Sequence, residues 1–201
     1  MITYTDFFAQ WFKSTEHKRF QSEQLEFIKH PQAMADFIDA VNTISNIGPN
    51  ETVCCMSDFD IDGIFSLLIL SGLAPAFNIR IYEPDASAGY GIRVENVQDM
   101  INAYHPDWII MSDVGIGCHE AIKYAEDNGI GVVVIDHHEG DKYVGNNVHI
   151  FDPNANGVLE PHVAFDVPEC SQYCGAMLCY AVVTAVYAKC GLSMSPEALS
   201  C

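Results

Sequence analysis

Positively charged side chains are scarce: nine lysines and arginines face 27 aspartates and glutamates, for a formal net charge of −18. Such a surface repels polyanions, which excludes gripping a long nucleic acid by phosphate neutralisation alone. Long apolar runs are missing too, since none reaches the roughly 20 residues needed to span a bilayer. The opening MITYTDFFAQWFK has no basic leader followed by an apolar core. Neither a secretion signal nor a membrane anchor is therefore expected, and the default compartment is the cytoplasm. Cysteines are plentiful, eight in all, but the paired CxxC spacing of a structural zinc site is absent: Cys170, Cys174 and Cys179 are separated by three and four residues. Cys54, Cys55, Cys179 and Cys190 fall in apolar stretches and read as buried, reduced thiols. No internal repeat or low-complexity tract is present.

What is present is a chain of 201 residues, 49% hydrophobic and 18% charged, long enough for one well-buried domain. Residues 1–50 read as a helical lead. Within it, 5–13 and 23–44 carry apolar positions at helical spacing, among them Leu25, Ile28, Met34, Phe37, Ile38 and Val41, before the turn residues NIGPNE. From there the text alternates, with strands expected at 52–57, 78–84, 107–112, 131–136 and 147–153 and helices at 63–75, 95–104, 118–129 and 174–191. That alternation predicts an α/β fold, a mainly parallel β-sheet with helices on both faces. Trp11 with Phe7, Phe8 and Phe12 reads as the core or interface face of an amphipathic helix, with a base-stacking platform as the alternative. His105, His119, His149 and His162 have no partners at ligand spacing and read as ordinary.

The acidic residues fall in a pattern on this scheme. The first strand ends in SDFDIDG (57–63), the third in SDVG (112–115), and the β-branched run VVVI (132–135) in Asp136, His137 and His138. Three strand ends thus deliver acids to the carboxyl edge of one sheet, where open α/β sheets place their ligands. If the chain stays extended through DFDID, residues two apart point the same way and Asp58, Asp60 and Asp62 converge, with Gly63 allowing a tight turn into the following helix. Carboxylates held this close raise one another's pKa, and a cation keeps them ionised. Oxygen donors with one or two imidazoles suit manganese or magnesium. The alternatives for DFDIDG are an ordinary N-cap cluster and a calcium-type loop, and the latter lacks its glutamate, because the twelfth position counted from Asp58 is Ile69.

The set SDFDIDG, SDVG and IDHH, in this order, resembles the DHH phosphoesterase family and in particular its RecJ branch of single-strand nucleases. SAGYGI (87–92) is similar to the EGYGL loop of that branch, and YCGAMLCYAVV (173–183) to its CGAGVAF helix start, so the resemblance spans residues 50–191. It implies that residues 1–201 form a DHH catalytic domain that includes the helical lead over 1–50. It also implies that Asp60, Asp62, Asp113 and His137 bind metal, Asp113 as a bridge between two ions, Mn2+ or Mg2+. Asp58 and Asp136 match acids that orient the ligands, and His138 matches the histidine that faces the scissile phosphate. A two-ion centre of this kind activates a water for in-line attack. The Gly89-Tyr90-Gly91 turn and Arg93 beside it are the implied substrate contacts, with a solvated helix-start arginine as the alternative reading of Arg93.

The resemblance further implies hydrolysis of single-stranded DNA from the 5′ end in repair or recombination. Short oligonucleotides or cyclic dinucleotides are the alternative substrates, and a catalytically impaired scaffold is the alternative role. Departures from the branch's pattern bear on this choice. A fourth acidic run similar to LVALGTIADV is not found; Asp152 and Asp166 come too early for it and Glu197 lies in a different context. The arginine expected shortly before GYG is missing from EPDASAGYG. A C-terminal substrate-binding domain, or a partner completing the site, is therefore expected to be absent from this chain.

Overall fold

Uninterrupted apolar runs form strands here because both faces of the sheet are covered. The structure, a computed structural model, describes residues 30–84, 89, 91–155 and 173–192. Its strands are β1 (Thr52–Ser57), β2 (Asn78–Tyr82), β3 (Trp108–Ser112), β4 (Gly131–Ile135) and β5 (Val148–Phe151). They form one sheet in the order β2-β1-β3-β4-β5, with every neighbouring pair parallel. The helices are α1 (Pro31–Asn46), α2 (Ile61–Ser71), α3 (Val94–Tyr104), α4 (His119–Asp127) and α5 (Gly175–Lys189).

Strand alternation divides the core into two layers, as the α/β reading requires. Val53, Cys55, Ile110, Val133 and Ile135 face one side, where they pack with Phe37 and Val41 of α1, Leu70 of α2 and Val182 of α5. Cys54, Met56, Ile109, Met111, Val132 and Val134 face the other, against Val97 and Met100 of α3 and Ile122 and Ala125 of α4. Each such fully buried aliphatic side chain contributes about 1.5–3 kcal/mol of transfer free energy. Helix α5 is buried nearly all round because it packs against both α1 and α2. Helix α1 begins at Pro31, whose fixed φ and missing N–H suit a first turn.

Three expectations need correction. Helix α2 starts at Ile61 rather than Gly63, because Asp60 caps it through a hydrogen bond accepted from the Gly63 N–H (3.0 Å) and Asp62 sits favourably in its first turn. It also ends at Ser71, short of Pro75. Cys190 is exposed: it is the residue following α5, beyond the packed turns, while Cys54, Cys55 and Cys179 are buried. The expected helical segments at 5–13 and 23–29, with Trp11 and its neighbouring phenylalanines, lie outside the described residues, as do His162, Asp166 and Glu197.

Strand order decides where a site can form. Strand β1 lies between β2 and β3, so the chain crosses outward to β2 and then back over β1 to β3. The β1 and β3 carboxyl ends thus flank a switch point, the crevice where open parallel sheets bind ligands.

Candidate metal centre

Two serines close the crevice floor. Ser57 Oγ donates to the Ser112 carbonyl (2.6 Å) and Ser112 Oγ to that of Met56 (3.3 Å), tying the ends of β1 and β3 together. Immediately beyond them come Asp58 and Asp113. Asp113 is 1% exposed and holds a left-handed backbone with φ 55°, a strained conformation that aspartate tolerates better than most residues. Its amide donates to the Ile135 carbonyl (2.9 Å), which pins it beside β4.

The carboxylates do converge, but by a different route from strand alternation. Asp58 follows β1, Asp60 is the N-cap of α2, and Asp62 has already turned into the helix. Ligand atoms of Asp58, Asp60 and Asp113 lie within 4.8 Å of one another, and so do those of Asp113, His137 and His138. Asp113 is common to both groups. Asp62 belongs to neither: its oxygens accept from the amides of Gly175 (2.7 Å) and Ala176 (2.9 Å) at the α5 N-terminus, where a carboxylate is favoured. It still reaches to 3.6 Å from His137 Nε2. Asp62 therefore couples α2 to α5 at the rim of the centre.

His137 Nε2 stands 2.9 Å from Asp113 Oδ1. This is also the ligand-to-ligand edge of an octahedral site with bonds of 2.0–2.1 Å, about 3.0 Å. His137 Nδ1 is buried with no hydrogen-bond partner among the described residues. The donor set, carboxylate oxygens with imidazole nitrogen, fits manganese or magnesium and disfavours a thiophilic ion.

Asp136 acts as a hub. It is fully buried, and its Oδ1 accepts from the His137 amide (2.7 Å), the His138 amide (3.3 Å) and His138 Nδ1 (2.7 Å), while its Oδ2 accepts from the Ile116 amide (3.0 Å). Burial by itself pushes this carboxyl up, but the His138 hydrogen bond and the backbone donors outweigh it and leave Asp136 below its ordinary range. The same hydrogen bond raises His138 to about 9. Burial lowers His137, yet its hydrogen bond to Asp113 leaves the net direction upward. Asp58 is raised to about 6 by burial and then by Asp113 and Asp60. Asp113 is raised mainly by burial, against the pull of His137 and with a push from Asp62 and Asp60. These like charges crowding one pocket are the electrostatic condition that a divalent cation relieves.

The GYG loop is only partly described. Gly89 and Gly91 take positive φ of 88° and 90°, as a GYG turn needs, and Tyr90 lies outside the described residues. The structure does not bring Arg93 to the acids. It is exposed at the start of α3 and lines a separate cavity with Cys118 and His119, to which none of the acids of the centre contributes. Among the unassigned histidines, His149 Nδ1 pairs with Asp39 of α1 (2.7 Å) and His119 Nε2 meets the Asp141 carbonyl (2.8 Å).

Sequence reading missed a support behind the histidines. Asp152 Oδ1 accepts from the amides of Asn154 (2.8 Å) and Ala155 (3.1 Å), and Asn154 Nδ2 donates to the His137 carbonyl. The triplet Asp152-Pro153-Asn154 is readable as a turn signal, but nothing in it points to His137. Asp152 is fully buried, its Oδ2 has no partner among the described residues, and burial followed by Asp136 raises it to about 7. An unfolded aspartate titrates near 3.9, so the folded form holds the proton longer. Stability is then lost as pH rises through the window from about 4 to about 7. Asp152→Asn should accordingly stabilise the metal-free protein by on the order of 2–4 kcal/mol at pH 8 and by nothing below pH 4. Thermal melts in chelator at the two pH values check this, and equal effects at both would rule the account out.

The fold and the centre define a class: an α/β domain whose switch point carries a carboxylate–imidazole site suited to divalent ions. More particularly, the chain belongs to the DHH family, because residues 52–201 match the DHH family, N-terminal domain. No curated protein sequence matches the chain significantly. Among solved structures it resembles an exonuclease RecJ bound to manganese, with 24% identity and a TM-score of 0.56 over 83% of this chain and 39% of that one. It also resembles RecJ in complex with Mn2+ from Thermus thermophilus, with 22% identity and a TM-score of 0.53 over 83% of this chain and 22% of that one. At these identities the likeness is one of fold, and the chain spans well under half the length of either relative.

Proposed function

We propose that residues 52–201 form the catalytic domain of a metal-dependent phosphodiesterase that removes nucleotides from the 5′ end of single-stranded DNA in repair or recombination in the cytoplasm. The observation that carries this reading is Asp113, whose carboxylate belongs to two adjacent groups of ligand atoms. In it, Asp58, Asp60, Asp113 and His137 would hold two divalent ions, Mn2+ or Mg2+, with Asp62 at the rim. Ions bound there supply a nucleophilic water at neutral pH and offset the charge that builds on the phosphoryl group.

The protein's own part is positioning and proton supply. Asp136 locks the His138 ring through Nδ1, leaving Nε2 as its remaining polar atom, and the side chain is 52% exposed at the mouth of the pocket. With Nδ1 engaged by Asp136, a hydrogen bond that raises the ring to about 9 in the metal-free protein, His138 presents Nε2 as the donor to a phosphate oxygen or to the departing oxygen. Asp62 and the Asp152–Asn154 turn keep α5 and the histidine backbone in place. The RecJ structures that share the fold are described as bound to manganese, which supports the choice of ion.

Calorimetric titration with manganese chloride should show two ions bound per chain, and 5′-labelled single strands should then release labelled mononucleotides. An isotherm without binding, together with no release in manganese or magnesium, overturns the proposal. One observation favours shorter substrates: the chain carries a net charge of −18, and neither cavity beside the sheet edge has a lysine or arginine apart from Arg93. A dinucleotide cleaved with higher kcat/KM than a long single strand would move the reading from exonuclease to short-oligonucleotide phosphodiesterase.

A further inference from the structure

Helix α2 turns large apolar residues to solvent. Ile61, Ile64, Phe65 and Leu68 are 75, 56, 45 and 45% exposed, and their spacing places them along one helix face. Polar residues would serve equally well on a merely solvated face, and a contiguous apolar patch marks a binding surface. Beside it, between α2 and the edge strand β2, lies a cavity of about 520 Å³, within the 300–1,000 Å³ usual for small-molecule sites. Ile64, Leu67 and Leu68 form one wall, Ile81 and Pro84 the other, and Phe59 one end.

Its polar groups are few and specific in what they reject. Asp58 and Glu83 lie at the rim, and the Ser71 hydroxyl is already committed to the Leu68 carbonyl (2.6 Å). Glu83 disfavours an anion in the slot, while the apolar walls accept a flat, neutral ring. Absence of a donor array among these lining residues means that the ring is held by its faces rather than read at its edges. The slot is continuous with the metal centre, since Asp58 lines both, and Phe59 stands in the chain between Asp58 and Asp60.

We infer that this slot between α2 and β2 is a sequence-neutral nucleobase subsite, seating the base of a nucleotide whose phosphate lies at the acid cluster. The inference rests on the phosphodiesterase reading for the position of the phosphate, and its test is separated from turnover. Isoleucine and leucine methyl groups of the full chain are labelled, and their spectra recorded in magnesium during titration with deoxyadenosine 5′-monophosphate, with 2-deoxyribose 5-phosphate, and with deoxyadenosine. The nucleotide should shift the methyls of Ile64, Leu67, Leu68 and Ile81 and bind roughly 5- to 150-fold more tightly than the sugar phosphate, the range expected for burying one ring against apolar walls. Leu68→Asp, at a position exposed enough to accept it, should abolish those shifts.

Shifts with deoxyadenosine alone, in a protein that binds no metal, would uphold the base subsite while sinking the phosphodiesterase reading. Equal affinity for nucleotide and sugar phosphate, or immobile slot methyls in every titration, overturns the inference. So does movement of those methyls on simple dilution with a matching dimer in sedimentation, which would make the slot a contact between copies of this chain.

Discussion

Asp113→Asn is expected to abolish manganese binding and, if the chain is the phosphodiesterase proposed above, to lower hydrolysis by roughly 10³-fold or more, because metal stabilisation of the transition state is worth several kcal/mol. Asparagine is the informative replacement. Asp113 has φ 55°, a conformation that asparagine also adopts readily, whereas alanine would add strain unrelated to charge. The amide oxygen still accepts from His137 Nε2, which lies 2.9 Å away in the native protein. Only the charge is lost, at the one residue that both ligand groups share. Burial and the nearby Asp62 and Asp60 already disfavour this carboxylate's ionised form, so the metal-free variant should melt no lower than the native chain at pH 8. Calorimetry and melting in chelator separate the two effects. A native-like two-site isotherm in Asp113→Asn would show that the bridge lies elsewhere.

Gly63→Ala should cost both stability and metal. Gly63 does not need a left-handed backbone, since it is a helical residue with no positive φ. What it provides is space: a β-carbon there would sit 2.2 Å from Asp58 Oδ1, 2.6 Å from the Asp58 carbonyl and 2.8 Å from Ser57 Oγ. The backbone carbonyl cannot swing aside as a flexible side chain can. Overpacking of this sort costs about 1–3 kcal/mol, against which alanine recovers at most about 1 kcal/mol of helix propensity. The clash wins. A net loss of about 1–2 kcal/mol corresponds to about 2–8 °C in melting temperature for a chain of this size. Asp58 is displaced as well, so manganese should raise the variant's melting temperature by less than it raises the native one. A variant that melts like the native protein and gains as much from manganese would refute the close-approach argument. Gly175 meets a similar constraint from the opposite side, where a β-carbon would fall 2.6 Å from Asp113 Oδ1.

Much of this centre was legible in the letters. Runs such as VVVI could only be doubly buried strands, since four successive β-branched residues leave no polar face for water. Alternation of strands and helices then implied a parallel sheet, and acids after three strands had to share its carboxyl edge. The acids of DFDID are legible as a converging set, but of the two geometries the letters allow, extended alternation and an N-cap cluster, the structure takes the second. Asp60 is as good a helix cap as it is a strand residue, and capping prevailed because Gly63 N–H lies within its reach. Asp152 was set aside as an acid in the wrong place, since its turn contacts His137 only through the β4–β5 pairing.

The sequence by itself determined the elements, the two-sided burial and the residue types of the centre, because hydrophobic period, helix caps and turn residues act over a few positions of chain. Tertiary structure alone decided that β1 and β3 are neighbours, that Asp113 touches two ligand groups, that Asp62 turns to α5 and that a slot opens beside Asp58. Those facts depend on which surfaces pack together across 55 to 113 residues of chain, as in the Ser57–Ser112 and Asp62–Gly175 contacts. No local preference records such distances; only the competition among whole packings settles them.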